Sequence, residues 1–211
     1  MKLLIIIYIL AFFVLNLWNG IVLTHQRLNR YIVPFHHTFR GEVNALAGNI
    51  STLGLFLSII LLCTSNAYAV LLTLLILTGI LNIYFLGLNI FNLYYGTFFS
   101  REEFEIFKNP GEGIAKGMGA ELVRELFVYY RIILFIPFAA LLVFFLQMDQ
   151  AALAAYQITM GPLWRIAVLL LCLAGLFVTG YAFERMYAKQ LTIKALKSTF
   201  AIQNFGVYPY Y

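Results

Sequence analysis

Long apolar runs alternate with short polar breaks along this chain, and five of the runs read as helices that cross a bilayer: about residues 3–23, 50–64, 67–95, 132–148 and 163–183. About 20 consecutive apolar residues match the hydrocarbon thickness of a membrane. The run at 50–64 is short for a crossing unless Leu46 and Ala47 extend it, and Gly41 to Ala47 reads as a short interfacial turn of helix. The run at 67–95 is long enough to tilt or to protrude. Ser65-Asn66 makes a tight turn, which predicts an antiparallel helical hairpin around it. Pro137 eases or kinks the fourth run. Asp149 to Gly161 is a short connection, and Trp18 and Trp164-Arg165 mark interfaces.

The third run carries a polar stripe. Asn82, Asn89 and Asn92 fall within an arc of about 80° on a helical wheel, together with Thr78, Phe85 and Gly96. Amides facing lipid would lack partners at a cost of several kcal/mol each, so the stripe faces protein or a polar cavity. Two readings stand side by side. One is interhelical hydrogen bonding, which contributes roughly 0.6–2 kcal/mol per contact. The other is a groove for a lipid headgroup, because polar groups within a membrane often mark function. The deeper Asn82 and Asn89 suit the structural role. Asn92, Tyr95, Arg101 and Glu103 lie at the expected interface and are the headgroup-binding candidates. There Arg101 would pair with a phosphate, while Asn92 and Glu103 would bond hydroxyls.

Past Gly96 the composition turns polar. Ser100-Arg-Glu-Glu103 matches a capping box, which predicts a helix start, and Asn109-Pro110-Gly111 ends that helix. A second amphipathic helix is predicted over 114–127, with Ile114, Met118, Leu122 and Leu126 on one side. Such helices lie flat on a membrane surface. The fold class expected is therefore all-α: a polytopic membrane protein of five transmembrane helices, with short interfacial helices in 100–127 between the third and fourth. Residues 184–211 form a juxtamembrane tail.

Composition narrows the chemistry. With 63% hydrophobic and 11% charged residues, a soluble domain of 211 residues is excluded. The net charge of +5 resides in loops and suits lipid headgroups, not nucleic acid. Cys63 and Cys172 lie inside apolar runs and act as small apolar residues. The start Met-Lys-Leu-Leu-Ile-Ile-Ile resembles a signal sequence, but no small-residue cleavage site follows before Trp18, which predicts a retained first helix. His36-His37 lacks further ligands at metal spacing. Ser100 has no base beside it beyond the capping glutamate, and reads as a cap instead of a nucleophile. No catalytic or metal position emerges.

Three stretches carry a resemblance: Gly41-Glu-Val-Asn-Ala-Leu-Ala-Gly-Asn; Asn92-Leu-Tyr-Tyr-Gly-Thr-Phe-Phe-Ser-Arg-Glu-Glu-Phe followed by Gly111-Glu-Gly; and the tail from Lys197 through Asn204-Phe-Gly-Val-Tyr-Pro-Tyr-Tyr. In their order the chain resembles the N-terminal membrane domain of the lipoteichoic acid synthase family, phosphoglycerol transferases of the alkaline phosphatase and sulfatase superfamily. The resemblance implies a five-helix domain that anchors an enzyme in the cell membrane and presents its lipid donor, phosphatidylglycerol, for cell-envelope polymer synthesis. It implies that the threonine nucleophile and the divalent metal, usually manganese, belong to an extracellular catalytic domain reached through the tail. No cofactor is expected in this chain itself. The alternative is a non-enzymatic integral membrane subunit or assembly partner of a larger complex.

The resemblance puts the N-terminus inside and the tail outside. Charge argues the reverse. Arg27, Arg30, Arg40, Arg101, Lys108, Lys116, Arg124, Arg131, Arg185, Lys189, Lys194 and Lys197 stand on one side, twelve of the fourteen basic residues, and leave only Lys2 and Arg165 for the other. The positive-inside rule assigns the richer side to the cytoplasm. The expectation adopted is the family arrangement, because the tail matches by position and order.

Overall fold

The computed structural model describes residues 1–23, 39–95, 129–187, 201–202 and 204–210. Among them it is all-helical, with a single isolated backbone bridge between Asn66 and Gln157. The elements are α1 (Lys2–Leu23), α2 (Phe39–Cys63), α3 (Ala67–Tyr95), a 3-10 segment (Tyr129–Phe135), α4 (Ile136–Gln147), α5 (Gln150–Ala155), α6 (Pro162–Tyr187) and the short α7 (Val207–Tyr210). Four helices, α1, α2, α3 and α6, are long and apolar enough to cross a membrane. The predicted helices of 100–127 lie outside the described residues.

Helix α2 begins at Phe39, eleven residues ahead of the expected start at Ile50. The interfacial turn expected at Gly41 to Ala47 is its first two turns. The early stretch looked like a loop because Gly41, Asn44, Gly48 and Asn49 interrupt the apolar pattern, yet all four point inward and are buried. Pro137 does not kink a helix. It is the second residue of α4, a first-turn position where its missing N–H has no partner to lose. The connection at 149–161 contains the unexpected helix α5, whose start is capped by Asp149 Oδ1 accepting from the Ala151 and Ala152 amides at 3.0 and 3.1 Å.

Helices α1 and α3 run parallel in fixed register. The Tyr8 hydroxyl donates to the Leu71 carbonyl, Asn16 pairs with Thr78 and Asn19 with Asn82. Helix α4 lies antiparallel beside them: Tyr8 packs on Phe144 and Phe145 near one end, and Asn19 reaches Leu134 near the other. The core is apolar at the Met1 end, where Tyr8, Phe12, Leu71, Leu74, Leu141 and Phe145 are buried together. Helix α6 packs chiefly along α2 through small residues. A Cβ on Gly54 would lie 2.7 Å from Cys172 Sγ, and one on Gly175 would collide with Ser51 Oγ. Elsewhere along α6 large apolar residues, Leu163, Leu171 and Phe177 among them, are exposed.

At the Met1 end the turns are tied by backbone and by one arginine. The Ala67 amide donates to Tyr156 O and the Ile158 amide to Ser65 O. Arg165 donates through Nε to Met160 O at 3.0 Å, through Nη1 to Leu61 O at 2.6 Å and through Nη2 to Ser65 Oγ at 2.7 Å. The planar fork of a guanidinium suits such divergent acceptors.

Candidate functional site

The polar residues of the bundle collect toward the other end. Asn16 Nδ2 donates to Phe12 O at 2.8 Å and to Thr78 Oγ1 at 3.2 Å, and Thr78 in turn donates to Leu74 O at 2.9 Å. Asn19 Nδ2 donates to both Asn82 Oδ1 at 2.9 Å and Leu134 O at 3.1 Å, which joins α1, α3 and the 3-10 segment at one atom. Asn82, Asn89 and Asn92 are all buried, with Thr78 and Phe85 between and below them. The stripe therefore faces protein. Asn89 has an interaction of its own.

Depth separates these amides. Asn82 lies 15 residues beyond Ala67, or about 22 Å along the axis, and Asn92 about 37 Å. A hydrocarbon layer of about 30 Å counted from the turn at Ser65-Asn66 would take in Asn82 and end short of Asn92. Asn92 is fully buried, yet among the described residues neither its Oδ1 nor its Nδ2 has a hydrogen-bond partner. Asn19 Oδ1 and Asn82 Nδ2 also lack one. Buried polar atoms without partners are uncommon, because each carries its full desolvation cost. Of the other headgroup candidates, the Tyr95 backbone closes α3 while its side chain lies outside the described part, as do Arg101 and Glu103 entirely.

A second set of amides holds the tail. Asn44 Nδ2 donates to Thr179 O at 3.1 Å and to Asn204 O at 3.0 Å. Asn49 Oδ1 accepts the Tyr208 amide at 3.1 Å. The Tyr208 hydroxyl crosses to α1 and donates to Asn16 O at 2.8 Å, and its ring packs on Phe85 with centroids 5.2 Å apart. Phe205 stacks on Phe183 of α6 at 5.4 Å. Asn16, Asn19, Asn44, Asn49, Asn204 and Tyr208 were not singled out from the sequence as site residues. The signal was present in α1, where Asn16 and Asn19 stand one helical turn apart in an otherwise apolar run.

No family model, no curated protein and no solved structure matches the chain.

The described site is built from neutral amides and hydroxyls. Among the described residues no three His, Cys, Asp or Glu side chains are grouped to hold a metal. The hydroxyls of Thr52, Ser58, Thr73, Thr78 and Thr179 donate to backbone carbonyls four residues back. Such a site can hold and orient a polar group by hydrogen bonds. It has no activated nucleophile of its own.

Proposed function

We propose that the chain is the membrane-anchoring and lipid-donor-presenting domain of a phosphoglycerol transferase of the lipoteichoic acid synthase type, working in cell-envelope polymer synthesis. The observation that carries this reading is Asn92, a fully buried amide near the end of α3 whose donor and acceptor have no partner among the described residues. A hydroxyl donates and accepts, so a glycerol headgroup can engage both halves of the amide. A phosphate oxygen only accepts and an ammonium only donates, so each engages one half. In this reading phosphatidylglycerol is the donor lipid, Arg101 pairs with its phosphate, Asn92 and Glu103 take its hydroxyls, and Tyr95 borders the site. The metal, manganese by resemblance, and the threonine nucleophile belong to a catalytic domain beyond the tail.

The 3-10 segment and α4 together make the fifth crossing. Seven residues at about 2.0 Å and twelve at about 1.5 Å span about 32 Å, the thickness of the hydrocarbon layer. The N-terminus is cytoplasmic and the tail side external. The basic residues on the tail side then serve the anionic donor lipid, which they attract at about 1 kcal/mol per charge near the surface.

The test uses the purified chain in nanodiscs. Thermal unfolding is compared with phosphatidylglycerol, phosphatidylethanolamine and phosphatidylcholine as the minor lipid. Phosphatidylglycerol should raise the midpoint most, and Asn92→Ala should remove that advantage. Equal midpoints in all three lipids would overturn the reading.

A further inference from the structure

Two of the sequence stretches that carry the resemblance, Gly41 to Asn49 and Asn204 to Tyr210, are bound to each other. Asn44 and Ala45 share one face of α2 with Gly48 and Asn49, four residues further on. Each of them meets the tail. Asn44 and Asn49 bond its backbone at Asn204 O and at the Tyr208 amide. A Cβ on Gly48 would collide with the Phe205 carbonyl oxygen, so only glycine lets the tail backbone approach so closely. Gly206 has φ +112°, where side chains are strained, and a Cβ there would lie 2.8 Å from Ala45 O and collide with Asn49 Oδ1.

Depth gives the amides their purpose. Asn49 lies 14 residues before the end of α2, about 21 Å from the turn at Ser65-Asn66. A hydrocarbon layer of about 30 Å counted from that turn would take in the tail backbone beside it, and there irregular backbone persists only if protein groups satisfy it. Asn44 and Asn49 are those groups. The seated tail then reaches three further helices, through Tyr208 to Asn16 of α1 and Phe85 of α3, and through Phe205 to Phe183 of α6. Phe85 stands on the α3 stripe between Asn82 and Asn89.

We propose that the Asn44–Asn49 face of α2 is a peptide seat for Asn204–Tyr210, and that the seated segment is a latch: its release loosens α3 and exposes the amide stripe as far as Asn92. This inference does not rest on the enzymatic reading above. It makes Gly48, Asn49 and Gly206 positioning residues, which act on the stripe through Tyr208.

The experiment follows thiol alkylation of the whole chain in micelles, in a Cys63→Ser, Cys172→Ala background. Val207→Cys reports the seat and Asn92→Cys the stripe. With the tail seated both should react slowly with N-ethylmaleimide. Adding Gly48→Val should raise both rates about tenfold or more, the scale of one lost buried contact. Leu46→Val, on the exposed face of the same turn, should change neither. Should Gly48→Val lose its cooperative unfolding transition, Asn49→Ala is read in the same way, since it removes one acceptor and adds no bulk. Fast alkylation of Val207→Cys in the parent would show that there is no seat. A faster Val207→Cys with an unchanged Asn92→Cys would show a seat without a latch, and would overturn the proposal.

Discussion

Asn19 and Asn82, 63 residues apart, are held together by one hydrogen bond from Nδ2 to Oδ1 at 2.9 Å, and the same Nδ2 also reaches Leu134 O. One amide thus joins two parallel helices and ties the 3-10 segment to both.

That arrangement predicts an asymmetric pair of mutants. Asn82→Leu leaves Asn19 its bond to Leu134 and should cost about 1 kcal/mol. Asn19→Leu loses both bonds and strands Asn82 Oδ1 and Leu134 O, which should cost about 2–3 kcal/mol. Thermal or denaturant unfolding in micelles measures both. Equal losses would mean that the Leu134 contact contributes nothing.

Arg165 should resist conservative replacement. Arg165→Lys keeps the charge but cannot reach Leu61 O, Ser65 Oγ and Met160 O at once. The expected loss is about 2 kcal/mol, close to that of Arg165→Ala, because half-buried carbonyls lose charged donors in both. Full stability of Arg165→Lys would show that charge alone suffices.

Orientation has a two-sided test in a cysteine-free background. Arg40→Cys lies at the tail end of the bundle and Asp149→Cys at the Met1 end, and both positions are exposed. With the tail side external, an impermeant thiol reagent on intact cells labels Arg40→Cys, and labels Asp149→Cys only after lysis. The opposite pattern means that the twelve basic residues set the topology.

The purified 211-residue chain should turn over no lipid. The described site offers amides and backbone-bonded hydroxyls such as those of Thr52 and Ser58. Mass-spectrometric detection of diacylglycerol released from phosphatidylglycerol, with contaminants excluded, would contradict this.

Run length and period made the helical class and the four long apolar helices legible, and a stripe of Asn82, Asn89 and Asn92 was bound to avoid lipid on energetic grounds. What stayed hidden was pairing. Nothing local in Asn16 or Asn19 names Thr78 or Asn82 as a partner, because parallel register is set by tertiary packing. The first turns of α2 read as interfacial for a related reason. Its glycines and asparagines weaken the apolar pattern, and their purpose lies in a segment 159 residues away, through the bond from Tyr208 to Asn49. Tyr208 itself looked like one aromatic among many in a tail, with no periodicity to show that it faces inward.

The bond from the Tyr208 hydroxyl to Asn16 O joins residues 192 positions apart. Synthesis proceeds from the N-terminus at about 5–20 residues per second. Asn16 therefore waits on the order of ten seconds or more for its partner, while α2, α3, α4 and α6 are made. During that interval the Asn44–Asn49 face stands without the segment it is shaped to hold. The bundle therefore inserts with that face open, and the tail closes it only after α6 has been made.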